Sequence, residues 1–513
     1  MVAPTPSSSS QPEDSSLVLL RHLAEHLDRH LVLPLLDFLE GREKYTHEEV
    51  LQAKVDLLGD GKTNMVTFVE GLKRELEGKA DGEEVSGHAE FRKQEAEVVK
   101  TLNELQAQAQ GVMDVISNPE VVSALRQDKQ HNLTYLKENH GVTLEQIALL
   151  YKFGQFQFSI GHYGGASDYL YHFRVLSTDS ALVLSAMWGK LASDILEGSW
   201  DAALEELNGL REFIDQRGGA GPGGPLLALQ QRTWWLHWSL FVYYNHPNGR
   251  ELLLESWLNQ NYLNTIQTAA PWLLRYLVAA VVISRKSTLR SAGPASAGNS
   301  ARSREAVRDV VRALGQEQYQ YADAVIEFLR KLYGEVDFSG AREEMAKCGG
   351  ETSILDDDFF LEPYKAEFVE NARYLVSEAY CKIHRRIDIG ELSDRLGLTR
   401  EDGERWIVDL VRDARLDAKI DLKQNIVQMN HTEQPVYQTV IEKTRGLLFR
   451  SQAMASAMEA RASGGNPDRE STRLSGNRGG QGNKQGGART GGQRGPQGGK
   501  KQESEAPAAE AEA

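Results

Sequence analysis

Cysteine is almost missing from this 513-residue chain, which holds only Cys348 and Cys381. Two cysteines cannot build a disulfide framework, and neither stands at a metal-ligand spacing, so the expectation is a reducing compartment and no metal centre. Long apolar runs are missing as well. The most apolar stretch, residues 276–283, is far shorter than the roughly 20 residues that span a bilayer. The first sixteen residues, "MVAPTPSSSSQPEDSS", have neither a basic start nor an apolar core, so they read as a disordered lead-in to a soluble, cytoplasmic protein. Asn132 and Asn430 fit the glycosylation pattern, but without a secretory signal both read as chance matches.

Catalytic constellations are also lacking. "GDGKT" (59–63) imitates a phosphate-binding loop, yet the motif requires glycine at position 56, where Asp56 stands behind a helical pattern. A helix C-terminal turn explains it better. His47 in "HEE" has no second histidine a turn away, as a zinc helix needs. The acids of "DDDFF" (356–360) read as a solvated helix start. Trp234, Trp235 and Trp238 sit at helical spacing among apolar neighbours, which points to core packing rather than a ligand cage. No Ser/His/Asp or Cys/His set can be placed, so no enzymatic activity, cofactor or metal is expected.

What the chain does have is helical period. Leu19, Leu20, Leu23, Leu27 and Leu31 follow the three-and-four spacing of one buried helix face, and Thr46 with Glu49 forms a capping box for the next. Val98, Leu102, Leu105, Ala109, Val112 and Ile116 predict one long helix packed on its neighbours, the pattern being too short for a coiled coil. "YKFGQFQFSIGHYGGASDYL" and "WGKLASDILEGSWDAALEEL" superpose at an offset of 37: Gly161 on Gly198, Tyr163 on Trp200, Ala166 on Ala203, Leu170 on Leu207. Phe338, Ala341 and Met345 echo the pattern. Such hairpins resemble tetratricopeptide-type repeats, which stack into solenoids that present surface to other proteins. The Gly-, Pro- and Ser-rich stretches at 217–225 and 290–304 read as flexible loops.

"GELSDRLGLTREDGERWIVDLVRDARLDAKID" (390–421) reads as helix, turn, helix and strand, the start of a winged helix-turn-helix. Ile389, Leu392 and Leu396 supply the first helix's stripe, which Gly397 ends. Thr399 caps the second helix, whose inward residues are Trp406, Ile407, Leu410 and Val411. Residues 419–429 form the wing, with Ile420, Leu422, Ile426 and Val427 as candidate partner contacts. From Thr399 to Leu416 four arginines face five acids, a poor recognition helix for DNA. The net charge of −15 divides into +3 from residue 461 onward and −18 before it, so the body repels a phosphate backbone. After the wing, residues 433–460 form a further helix, with Leu447 and Leu448 among its candidate contacts. The Gly/Arg-rich tail, 461–513, reads as disordered, with Arg478, Lys484, Arg489 and Arg494 as candidate RNA contacts or parts of an inert solubilising tail.

Stacked helices leading into a winged helix resemble the PCI domain. The blocks "HLDRHLVLPLLDFLE", "LLQAKVDLLGDGKTNMV", "QRTWWLHWSLFVYYNHPNGR", "ERWIVDLVRDARLDAKID" and "VIEKTRGLLFRSQAM" resemble the e-subunit family of eukaryotic translation initiation factor 3. That resemblance implies a non-enzymatic scaffold whose partners are other subunits of the factor and the small ribosomal subunit. PCI subunits there sit side by side through their winged helices and share a helical bundle, supporting recruitment of mRNA and initiator methionyl-tRNA. A PCI subunit of the proteasome lid or signalosome, and a winged-helix nucleic-acid regulator, are the alternatives. The expected organisation is a lead-in (1–16), a helical-repeat solenoid (17–242), a PCI domain (243–430, winged helix 387–430), a bundle helix (433–460) and the tail.

Overall fold

The computed structural model describes residues 21–41, 45–59, 61–79, 85–116, 129–140, 143–217, 224–290, 296–350, 353–397, 399–413, 417–421, 424–430 and 436–462. The first long helix, α1 (Arg29–Glu40), starts where Asp28 takes an extended conformation and its carboxylate accepts the His30 N–H at 3.0 Å. The leucine spacing predicts a helix running through this point. Instead a turn at 25–27 separates α1 from a short helical turn at 21–24, because a capping aspartate offers the backbone a better partner than helix continuation. The expected capping box opens α2 (His47–Leu58). At its end Thr63 Oγ1 donates to the Leu58 carbonyl, so "GDGKT" closes a helix. After α3 (Val66–Leu76), α4 (His88–Ile116) buries Ala109 and Val112 in one cluster with Leu136 of α5 (Lys129–His140), as a long packed helix should. Asn132 is buried in the same region.

The repeat is a pair of helical hairpins: α6 (Leu144–Ile160) with α7 (Tyr163–Leu176), and α8 (Ser180–Glu197) with α9 (Trp200–Arg217). Gly161 and Gly198 end the first helix of each at φ 100° and 81°, a left-handed backbone that glycine adopts without a Cβ clash. His162 N–H then bonds the Gln157 carbonyl at 3.0 Å, and Ser199 N–H that of Asp194 at 3.0 Å, satisfying orphan carbonyls. Ala166 and Ala203 are fully buried where the paired helices approach. Polar staples join successive hairpins. Ser167 Oγ donates to Asp194 at 2.6 Å, and Arg174 holds the buried Glu206 at 2.5 Å.

The chain continues through α10 (Gly224–Asn245), α11 (Gly249–Trp257), α12 (Gln260–Ala269) and α13 (Leu274–Arg290). Trp235 is buried, its Nε1 donating to the Leu207 carbonyl at 3.0 Å, and Trp238 is buried too; Trp234 stays at the surface edge-on to Trp188. The apolar run at 276–283 is the fully buried part of α13. One core cluster extends from Leu23 to Met429, and the expected boundary at 242/243 falls inside α10, so the repeats and the PCI part share one interior. Next come α14 (Ser296–Gln316), α15 (Ala324–Leu329) with a π-helical turn (Arg330–Glu335), α16 (Phe338–Gly349) and α17 (Lys365–Ile383). Two expectations fail here. Residues 296–304 are helical rather than loop, a backward extension of α14 that their Ser, Gly and Asn content does not announce. The acids of "DDDFF" are no solvated helix start: Asp358 is buried against Arg275 at 3.1 Å, and Asp356 bonds Lys365 at 2.6 Å. Arg275 also pairs with Asp323, and Arg285 with Glu378 at 2.8 Å, so buried ion pairs lock this region.

The body ends in β1 (Arg386–Asp388), α18 (Ile389–Leu396), α19 (Arg400–Asp413), β2 (Ala418–Asp421) and β3 (Ile426–Met429). The strands form one antiparallel sheet in the order β1-β3-β2. Cys348 and Cys381 are both free and buried. Residues 432–513 form a separate unit, in which the described element is α20 (Val436–Ala462).

Candidate interaction surfaces

The winged module is set by its apolar positions. Ile389, Leu392 and Leu396 of α18 and Ile407 and Leu410 of α19 are buried, while Trp406 and Val411 pack partly against the same core. Gly397 leaves α18 at φ 67°, and Thr399 Oγ1 accepts the Asp402 N–H at 3.3 Å to start α19. The inferred cap and stripe are therefore correct. β1 is the element the sequence reading missed: with three residues it is too short to show a period, although Ile387 between charged neighbours is its one signal. Ile387 pairs with Val427, whose other neighbour is Ile420.

The candidate wing residues divide by this register. Val427 is 1% exposed and faces its own core, so it offers nothing to a partner. Alternation sends every second strand residue inward, and Val427 is on that phase. Ile420 and Ile426 are half-buried on strands flanking the wing turn, and Leu422 lies outside the described residues. β2 is an edge of the sheet and carries exposed Lys419 and Asp421, charges that discourage indiscriminate strand pairing. On α19 the solvent side shows Glu401, Asp402, Arg405, Asp409 and Arg412, with Arg412 paired to Asp409. Val408, 45% exposed, is an apolar point in this charged face. The first turn of α19 is acidic, where a major-groove reader would need donors.

In α20 every described side chain is exposed, including Leu447 at 62% and Leu448 at 66%. At 3.6 residues per turn, Val436, Tyr437, Val440, Ile441, Leu447, Leu448, Met454 and Met458 share one side, and Phe449 projects from the other. Propensity alone holds an isolated helix only weakly in water. Val436, Tyr437, Val440, Ile441, Met454 and Met458 thus join Leu447 and Leu448 on the stripe. Arg478, Lys484, Arg489 and Arg494 lie outside the described residues. Among the described residues no group of acids, histidines and cysteines could hold a metal ion, and no single helix is long and apolar enough to cross a membrane.

A helical-repeat body sharing its core with a three-stranded winged helix defines a PCI-type protein, and the PCI domain family matches residues 346–431. The family described as eIF3 subunit 6 N terminal domain matches residues 19–157. A third family, the C-terminal segment of the E subunit of eukaryotic translation initiation factor 3, matches residues 435–455 on α20. Relatives that carry the name of this E subunit include one from Pyricularia oryzae, 44% identical over 88% of this chain and 99% of the relative. Others come from Aspergillus clavatus, 45% identical over 85% and 92%, and Botryotinia fuckeliana, 42% identical over 86% and 92%. The chain belongs to the E-subunit family of eukaryotic translation initiation factor 3.

Proposed function

We propose that this protein is a non-enzymatic scaffold within a multi-subunit translation initiation factor 3, acting in the cytoplasm on the small ribosomal subunit and supporting recruitment of mRNA and initiator methionyl-tRNA. The observation that carries the reading is the apolar stripe of α20, a contiguous set of large hydrophobic side chains that its own unit leaves exposed. A solvent-facing run of this kind marks a docking surface. The wing edge around Ile420 and Ile426 is the second proposed contact, and the acidic start of α19 argues against direct duplex reading. The Gly/Arg-rich tail is proposed as an auxiliary RNA contact.

The test is sedimentation of the tagged full chain through a gradient of cytosolic extract, with and without ribonuclease, with co-migrating proteins identified by mass spectrometry. A multi-subunit assembly that survives ribonuclease and contains other subunits of the factor is expected. The double substitution Leu447→Glu with Leu448→Glu should lower association at least about tenfold, as loss of buried apolar anchors does. It should leave circular dichroism unchanged, because neither side chain is buried in its own unit. Undiminished association would remove α20 from the interface, and a slow-sedimenting species would overturn the scaffold reading.

A further inference from the structure

A cavity of about 300 Å³ opens in the body away from the wing, lined by Arg285, Val307, Arg308, Val311, Tyr333 and Lys382. Its composition is unusual for a chain so acidic. Three cations meet there, and the acid that holds two of them is Glu378, bonded by Arg285 at 2.8 Å and by Lys382 at 2.7 Å. The lining therefore carries three cations and no acid of its own. Arg308 is exposed and has no hydrogen-bond or ion-pair partner among the described residues. Lys382 has spent one of its donors on Glu378 and is 47% exposed at the side chain. Val307 and Val311, one turn apart on α14, give the cavity an apolar wall.

The backbone supplies an independent observation. Tyr333 reaches this cavity from the π-helical turn Arg330–Glu335, which runs directly into Val336 at φ 59°. π-turns are rare and concentrate at functional sites, and a β-branched residue in the left-handed region is strained. The turn brings Tyr333 to the wall of this cationic cavity.

We propose that this cavity binds a phosphate monoester carried by a phosphorylated serine or threonine of a protein partner. A monoester brings a charge of about −1.5 to −2 and three acceptor oxygens, which suit a lining of cations with the donors of Arg308 and Lys382 better than the single charge and two oxygens of a carboxylate do. Arginine suits the forked geometry of phosphate, and the valines accommodate the aliphatic stem. The cavity is at the small end of ligand sites, sized for one side chain. An RNA backbone is the less suitable occupant, because the −18 charge of the first 460 residues repels an extended polyanion.

The experiment is isothermal titration of the full chain with N-acetyl-phosphoserine methylamide, its unphosphorylated analogue, inorganic phosphate and a short oligouridine. The phosphoserine compound should bind best and the unphosphorylated one not measurably. Arg308→Glu should weaken binding about tenfold or more, and Tyr333→Phe about threefold to tenfold, the range for losing a charge-assisted or a neutral hydrogen bond. Arg308 is exposed, so its variant should keep the thermal midpoint of the parent. Equal binding of the phosphorylated and unphosphorylated compounds, or binding indifferent to both substitutions, overturns the site. Inorganic phosphate binding as tightly as phosphoserine overturns the peptide source. Oligouridine binding that Arg308→Glu abolishes, with no phosphoserine binding, overturns it in favour of RNA.

Discussion

Val336 shows how one residue departs from a repeat that it otherwise follows. Counting back two residues from the aromatic that opens each second helix gives Gly161, Gly198 and Val336, and all three have positive φ. The third echo of the repeat is therefore genuine in backbone as well as in sequence, with α15 and its π-turn as first helix and α16 as second. Glycine takes this conformation freely, whereas an L side chain pays roughly 1–2 kcal/mol. Val336 is half exposed and loses little packing on truncation. Val336→Gly should therefore stabilise the protein by about 0.5–1 kcal/mol after the extra flexibility of an unfolded glycine is subtracted. A rise in the urea midpoint at constant slope checks it, and a fall would mean that the valine side chain contributes packing larger than its strain.

At the scale of elements, the crossing of α18 and α19 depends on Gly403. A Cβ built there would stand 1.8 Å from Ser393 Oγ and 2.7 Å from its Cβ, and Ser393 is itself buried with its hydroxyl on the Ile389 carbonyl at 2.6 Å. Gly403→Ala should thus force the helices apart, at a cost of about 1–3 kcal/mol for overpacking. Hydrogen exchange should rise across α18, α19 and the sheet and stay unchanged in the hairpins α6 to α9. Adding Ser393→Gly to the same chain returns the missing space and should recover most of the protection; no recovery would place the damage elsewhere. The elements themselves were largely legible. α4, the two hairpins, α18, α19 and the wing announce themselves by apolar period and caps, which are local properties. The break at Asp28, the strand β1 and the interior position of Asp358 were not legible. For β1 and Asp358 the deciding partner is distant in sequence: Val427 for the strand and Arg275 for the aspartate. The same reason misassigned Val427, whose inward phase only the pairing with Ile387 fixes. The stripe of α20 was readable as apolar, though not that its own unit would leave it exposed.

At the scale of the body, closure depends on contacts between residues 22–30 and residues over a hundred positions away. His22 stacks on Trp272 with ring centres 4.5 Å apart, and His26 stacks on His237 at 4.3 Å. Trp238 Nε1 donates to the His26 carbonyl, and His30 bonds the Tyr163 hydroxyl at 3.0 Å. His237 is the centre of this cluster. It is fully buried, its Nδ1 lies 2.7 Å from the Thr233 carbonyl, and its Nε2 accepts the Trp272 Nε1–H at 3.0 Å. Both nitrogens are satisfied only in the neutral ring protonated on Nδ1, so a second proton would have to displace the Trp272 donor. Burial above all, with the neighbouring His26 adding to it, pushes the His237 pKa down to about 3. The sign follows from that direction. Below about pH 6.5 the unfolded chain takes up a proton at this position that the folded chain refuses, so stability is lost progressively as pH falls from 6.5 towards 3. One such group imposes a slope of about 1.4 kcal/mol per pH unit, or roughly 2 kcal/mol between pH 6.5 and 5. Urea unfolding of His237→Gln, whose amide can donate to Thr233 and accept from Trp272, should show a shallower loss over that range than the parent, whatever its stability at pH 7. Because His22 and His26 lie in the segment leading directly into α1, the acid-induced opening should also raise hydrogen exchange in α1 before it reaches the winged module. Equal pH slopes for parent and variant would mean that acid enters the structure at another group.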